Sequence, residues 1–190
     1  MKTQKWIRPC AKIALAAALF IALGAGPSLA QGASVDDLTG PYAGFGFSIG
    51  ETNGDDGAGD SEVQGGFNLR GGYRLNEWIA GEAAFIFVSD AKDDVDYFSF
   101  TFGPKIYPLG LLAEPILPKQ IQPYTTIAIG GGEYILDDTR ESTFIARFMF
   151  GFDYWLTGNI GAWMEGGYHV SDEDSVEGTG IFAVGGQYRF

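Results

Sequence analysis

The sequence has little positive charge, almost no cysteine and no long apolar run in its interior. It contains 12 Lys+Arg against 24 Asp+Glu, a net charge of −12, which argues against a nucleic-acid-binding protein because such a protein needs a basic surface. One Cys excludes an internal disulfide, and with one His there is no Cys/His set at zinc spacing. The one long apolar run is terminal and short, which excludes a bundle of membrane-spanning helices.

Residues 1–30 have the pattern of a secretory signal peptide. Four basic residues precede or begin an apolar core from Ile13 to Gly26, which is too short to span a bilayer. Pro27 ends the core, and Ser28 and Ala30 put small residues where a signal peptidase cleaves. We expect cleavage near Ala30, followed by a linker over 31–40; the alternative is a retained membrane anchor. Cleavage would remove Cys10 and leave a chain of net charge −16.

The remainder of the chain alternates apolar and polar residues with period two in eight short segments. A stripe with the helical period of 3.6 is absent, so helix should be almost absent. Each segment has about ten residues, the length of a tilted strand that crosses a bilayer, and an even number of strands is usual in bacterial membrane barrels. The segments cover residues 43–50, 63–74, 79–87, 98–106, 123–134, 144–153, 160–169 and 182–190.

The two faces of these segments differ in a way that favours a membrane barrel. One face is largely Phe, and the other mixes small residues with Arg70, Glu82, Lys105, Arg147, Asp153, Glu165 and Arg189. In a bilayer the Phe face contacts lipid and the polar face fills the lumen. The sequence therefore predicts an all-β, eight-stranded, antiparallel up-and-down transmembrane β-barrel over 41–190. A soluble sandwich and a lipocalin-type cup are the alternatives.

Three local features add narrower expectations. Aromatic residues at the segment ends predict interfacial girdles: Tyr42, Tyr73, Trp78, Tyr107, Tyr124, Tyr154, Trp155 and Tyr188 at one rim, and Tyr97, Tyr134 and Tyr168 at the other.

Pro104 in the middle of a strand predicts a β-bulge, because proline has no N–H for the ladder. The connection from Pro108 to Gln122 is long and apolar for a periplasmic turn; we expect it to pack or lie at the interface, with docking of a periplasmic partner as the alternative.

The last nine residues, Phe182-Ala183-Val184-Gly185-Gly186-Gln187-Tyr188-Arg189-Phe190, look like the closing strand of bacterial outer-membrane proteins. The segments Tyr42–Gly46, Gly71–Arg74, Gly103–Lys105 and Pro123–Tyr124 also look like recurring parts of small barrels. The chain thus resembles the opacity-protein-like superfamily, which includes the membrane domain of outer-membrane protein A. The resemblance implies an outer-membrane location, delivery by periplasmic chaperones, and insertion by the barrel-assembly machinery, with Tyr188 and Phe190 as the assembly signal.

The polar face predicts a plugged lumen. An eight-stranded barrel has room inside only for side chains, and buried charges need partners. Arg70 and Glu82 should face each other across the second hairpin, and Arg147 and Glu165 should lie within diagonal reach. With Lys105 on the next strand, these five residues predict an interior ion network. A gated narrow channel lined by the same charges is the alternative.

The predicted outer loops concentrate the negative charge. Their net charges are −5, −3, −2 and −4, so they hold most of the mature charge. The candidate residues are Asp55, Asp56, Asp93, Asp94, Asp172, Glu173 and Asp174. Solvated loops are the simplest interpretation. The alternatives are divalent cations that bridge these loops to lipopolysaccharide, and a basic partner surface.

His169 and Ser171 are the one pair that suggests catalysis, because some small barrels that deacylate lipid A use a His-x-Ser pair with a later Glu. Glu173 or Glu177 could supply that Glu, but Asp172 stands where those enzymes have Asn, and His169 should point into the lumen. We therefore expect no catalytic, cofactor or metal site. The predicted function is that of a monomeric, non-enzymatic barrel serving envelope integrity or surface interaction.

Overall fold

The computed structural model describes residues 38–54, 62–89, 96–112, 116–136, 139–172 and 176–190, and within them the chain forms a closed barrel. Each strand pairs antiparallel with its neighbours in sequence, and β8 pairs with β1. This confirms the predicted eight-stranded up-and-down barrel, although the strands have 11 to 17 residues rather than about ten. The strands are β1 Gly40–Gly54, β2 Glu62–Arg74, β3 Ile79–Ser89, β4 Asp96–Ile106, β5 Ile121–Leu136, β6 Thr139–Trp155, β7 Ile160–Ser171 and β8 Val176–Arg189.

The period-two pattern of the sequence places polar residues inside the barrel and apolar residues outside. In β4, Ser99 and Thr101 are buried, whereas Phe102 is 61% exposed. In β6, Arg147 is buried and Phe150 is 69% exposed. The apolar exterior is the arrangement expected of a barrel that faces lipid. Among the described residues, no helix is long and apolar enough to cross a membrane.

The prediction of two aromatic girdles was wrong for about half of its residues. Tyr73, Trp78 and Tyr154 are exposed, as a girdle requires. Five others are buried inside the barrel: Tyr42, Tyr97, Tyr107, Tyr124 and Trp155. A position at the end of a strand does not determine which face a side chain occupies, since that depends on its parity with the rest of the strand.

The predicted β-bulge at Pro104 is also absent. β4 pairs with β5 in the same register on both sides of the proline, with Phe102 opposite Ile129 and Lys105 opposite Thr126. Pairing with β5 is interrupted only at Gly103 and Pro104 themselves. The barrel therefore accommodates the missing N–H by a local gap in the ladder, without the extra residue that defines a bulge.

The two ends of the barrel differ. At one end, which we call the turn end, β1 begins, β8 ends, and residues 75–78 and 156–159 form short turns. In the first turn Asn76 accepts hydrogen bonds from the backbone N–H groups of Trp78 and Ile79. The connection from β4 to β5 is also at the turn end and begins with a 3-10 helix, Pro108–Leu111. The opposite loop end carries the acidic connections.

Candidate functional site

Six charged side chains meet in the middle of the lumen, and we call them the central network. Arg70 of β2, Lys105 of β4 and Arg147 of β6 supply the cations, and Glu82 of β3, Asp153 of β6 and Glu165 of β7 supply the carboxylates. The structure thus brings together all five residues suggested by the sequence. It adds Asp153, which the alternation had already placed on the polar face.

The ion pairs of the central network share partners instead of forming isolated couples. The shortest N–O distances are 2.6 Å for Arg147–Glu165 and 3.0 Å for both Arg70–Asp153 and Lys105–Asp153. Lys105 and Arg147 also approach Glu82, at 3.4 and 3.7 Å. All six side chains are 0–1% exposed. Because the charges balance, each cation compensates a carboxylate that water does not reach.

The pairing expected from the register was wrong in detail. Arg70 lies opposite Ala84, and Glu82 lies opposite Gly72, so this pair is offset by two residues and its closest N–O distance is 3.9 Å. Arg147 lies opposite His169, four residues from Glu165. In a narrow lumen the long inward side chains meet across the interior, so contact does not require adjacent positions in the ladder.

Arg70 has partners on several strands of the barrel. Besides its carboxylates it donates hydrogen bonds to the Tyr124 hydroxyl and to the Gln187 side-chain oxygen, both at 2.9 Å. Its guanidinium carbon lies 3.9 Å from the centroid of the Trp163 ring, a cation–π contact. Arg70 therefore joins strands from both halves of the barrel.

Three glycines provide the space for Trp163. A Cβ atom on Gly46 would lie 2.6 Å from the indole ring, and one on Gly185 would lie 2.7 Å from it. A Cβ on Gly44 would lie 3.1 Å from both Trp163 and Arg70. Sequence reasoning missed this arrangement, but the signal was present: small residues fill the inward face of β1 and the middle of β8.

Each carboxylate of the central network accepts a hydrogen bond from a tyrosine. Tyr42 donates to Glu82 at 2.9 Å, Tyr107 to Asp153 at 2.9 Å, and Tyr124 to Glu165 at 3.0 Å. The ammonium of Lys105 also lies 3.6 Å from the Tyr124 ring centroid. These are the residues that the sequence had suggested for the girdle, and their hydroxyls instead stabilise the buried negative charge.

The lumen is also filled on both sides of the central network. Toward the loop end it is packed with a mainly apolar cluster of Ile86, Val88, Tyr97, Ile145, Met149 and Ile181. Toward the turn end, Arg74 stacks on Tyr107 at 3.8 Å and donates to the Glu77 carbonyl and the Gln122 side chain. Arg189 lies over Trp155. Described side chains thus fill the lumen on both sides of the central network.

His169 lies inside the lumen, as its parity predicted. It is buried, and its Nδ1 is 2.7 Å from the Tyr97 hydroxyl. Lipid A deacylation needs a histidine on the lipid-facing side, so this geometry does not support that alternative. In the described part of the chain there is also no group of three or more His, Cys, Asp or Glu side chains able to hold a metal ion.

Of the seven acidic loop candidates, the structure describes one. Asp172 is exposed and accepts hydrogen bonds from the Thr143 hydroxyl at 2.7 Å and from the Phe144 backbone N–H at 2.8 Å. These bonds lower the pKa of the Asp172 carboxyl below its usual value. The other six, Asp55, Asp56, Asp93, Asp94, Glu173 and Asp174, lie outside the described residues, as does the predicted signal peptide.

The chain matches a known protein family over most of its length. The model of the outer membrane protein beta-barrel domain matches residues 15–190. The chain belongs to this outer-membrane β-barrel family. Its members reside in the bacterial outer membrane, so the Phe exterior faces lipid, and the turn end corresponds to the periplasmic side. No curated protein sequence matches the chain.

Solved structures agree with this fold. Neisserial surface protein A matches with a TM-score of 0.63 and 13% identity, over 80% of this chain and 98% of that protein. The attachment invasion locus protein of Yersinia pestis matches with a TM-score of 0.53 and 20% identity, over 80% of this chain and 99% of that protein. The latter was also solved in complex with the heparin analogue sucrose octasulfate, with a TM-score of 0.56 and 19% identity. At these identities the likeness establishes the fold.

Proposed function

We propose that this outer-membrane barrel is a closed, non-enzymatic scaffold that presents an acidic loop surface to cationic groups at the cell surface. The observation that carries the proposal is the filled lumen: six mutually compensated charges, 0–1% exposed, lie between an apolar cluster and stacked Arg–aromatic pairs. A conducting barrel needs a hydrated path between its ends. A closed lumen leaves the loop surface as the part of the barrel that can act on other molecules.

The distribution of charge supports this role. The four acidic segments at the loop end, residues 51–62, 89–96, 137–141 and 172–177, together carry a net charge of −14, against −16 for a chain that begins after Ala30. The central network contributes no net charge. An acidic surface attracts cations, including the divalent ions that accompany lipopolysaccharide phosphates, and repels polyanions. A partner of this chain should therefore be positively charged, unlike the negatively charged heparin analogue in the Yersinia complex.

Neutralising the seven candidates tests the proposal. We expect a variant with Asn at Asp55, Asp56, Asp93, Asp94, Asp172 and Asp174, and Gln at Glu173, to lose at least tenfold in affinity for a polylysine surface at low salt. The wild-type affinity should fall as salt screens the loops. Glu77→Gln, which removes an acid at the turn end, is the matched control and should bind like the wild type.

Repeating the measurement on a lipopolysaccharide surface distinguishes the two kinds of cationic group. Binding that requires Mg²⁺ and is lost with EDTA would assign the loops to ion-bridged lipopolysaccharide, and binding only to polylysine would assign them to a basic protein surface. Equal binding of the wild type and the neutralised variant to both surfaces would refute the proposed role.

A further inference from the structure

Large apolar side chains remain exposed beyond the ends of the strands on the periplasmic side. We call them the apolar rim: Leu75 and Trp78 in the β2–β3 turn, Leu111, Leu112, Ile116 and Leu117 in the β4–β5 connection, and Leu156 in the β6–β7 turn. Leu111 is 63% exposed, and Ile116 is 75% exposed. An uncovered set of this size is not expected on a surface that faces water.

Backbone contacts hold part of the apolar rim against the barrel wall. The N–H of Tyr107 donates to the Trp78 carbonyl at 2.8 Å, and Gly110 approaches the Glu77 carbonyl so closely that a Cβ there would overlap it. The 3-10 helix Pro108–Leu111 therefore lies against the β2–β3 turn. At the other end of the connection, the N–H of Trp155 donates to the Gln120 carbonyl at 2.9 Å. The connection is anchored at both of its ends.

The apolar rim is continuous with the surface that faces lipid. Strands β3 and β4 meet at the turn end with the outward residues Ile79 and Ile106 paired to each other, and the connection begins at the next residue. Charge is sparse there, since the sequences of the three connections contain only Glu77, Glu114 and Lys119 as charged residues. The four acidic segments at the opposite end of the barrel, by contrast, carry a net charge of −14.

We infer that the apolar rim inserts into the phospholipid of the periplasmic leaflet, at the boundary between hydrocarbon and headgroups. Exposed leucine, isoleucine and tryptophan side chains at a membrane boundary gain free energy by entering it, and tryptophan favours that depth. Leu111, Leu112, Ile116 and Leu117 then extend the lipid contact of the barrel beyond its last ladder pairs. The described residues of the β4–β5 connection thus anchor this end of the barrel in the lipid bilayer. This inference is independent of the acidic loops and of their partner.

Site-directed spin labelling tests this inference, and it is practical here because the chain has a single native cysteine. Cys10 is the one native cysteine, so Cys10→Ser gives a thiol-free chain. Single cysteines at Leu111 and Ile116 carry the nitroxide, and Ser142→Cys, an exposed polar site near the loop end, serves as the control. All three labelled barrels are refolded into phosphatidylcholine and phosphatidylglycerol vesicles, and folding is verified by heat-modifiable gel mobility.

The readout is collision of the nitroxide with oxygen, which concentrates in hydrocarbon, relative to a water-soluble nickel chelate. We expect the oxygen-to-nickel ratio at positions 111 and 116 to exceed that at 142 at least fivefold. Ratios equal to that at 142 would place the rim in water, available to a periplasmic protein, and would overturn the inference. Protection from both reagents that disappears on dilution in lipid would indicate a second copy of the chain as the occupant, and would also overturn it.

Discussion

Replacing Arg70 with Met should destabilise the barrel by about 3–5 kcal/mol, because it removes one cation from a buried and balanced set. Asp153 and Glu165 would each lose a partner, at 3.0 and 3.5 Å, without access to water. The substitution also removes the stacking on Trp163. The measurement is urea-induced unfolding in lipid vesicles, and Lys119→Met, at an exposed site, is the control.

A second substitution shows how much of the stability lost in Arg70→Met comes from the unbalanced charge and how much from the lost packing of the Arg70 side chain. Arg70→Met with Asp153→Asn removes one charge of each sign, so we expect the double variant to recover most of the stability lost in Arg70→Met. If the free energy of unfolding of Arg70→Met lies within about 1 kcal/mol of the wild-type value, the difference is no larger than that expected for an exposed ion pair. The central network would then not stabilise the fold.

Replacing a glycine with alanine should destabilise the barrel at an inward-facing position and stabilise it at an outward-facing one. Gly46→Ala places a Cβ against the Val184 carbonyl oxygen, 2.6 Å from Trp163 and 2.9 Å from the Gly185 Cα, which should cost about 1–3 kcal/mol through overpacking. Gly81 is in a strand and has no heavy atom within 4 Å of its would-be Cβ, so Gly81→Ala should stabilise the barrel by about 0.5–1 kcal/mol. Neither glycine is among those with positive φ, so backbone strain does not enter the comparison.

The same unfolding assay measures both glycine variants. The intrinsic fluorescence of Gly46→Ala should also change, because the added methyl displaces Trp163. Equal destabilisation by Gly46→Ala and Gly81→Ala would mean that the inward glycines do not serve to make room for the indole.

The sequence predicted the barrel because the decisive information is local. A strict period of two sends Phe100 and Phe102 to one face and Ser99 and Thr101 to the other, whatever the rest of the chain does. Parity also placed His169 in the lumen. The same parity, applied to Tyr107 and Tyr124, would have shown that they point inward; their position at strand ends obscured this.

Contacts within the lumen were harder to predict because they depend on register. The sequence-based pairing of Arg70 with Glu82 assumed a β2–β3 turn centred one residue too early. Moving the centre by one residue changes each pairing partner by two residues, so that Arg70 in fact lies opposite Ala84. The role of Asp153 depends on side chains that cross the lumen from β2 and β4, which no spacing along one strand reveals. The 3-10 helix after β4 packs against the neighbouring β2–β3 turn, a contact that the period-two pattern does not reveal.

The central claim is that side chains close the lumen, and single-channel recording of the wild-type barrel in planar bilayers tests it most directly. The same preparation should show heat-modifiable gel mobility, so that an absence of current cannot be attributed to unfolded protein. We predict a flat current trace at transmembrane voltages of either sign. Reproducible conductance steps from folded barrels would contradict the closed-lumen account and would favour the narrow channel.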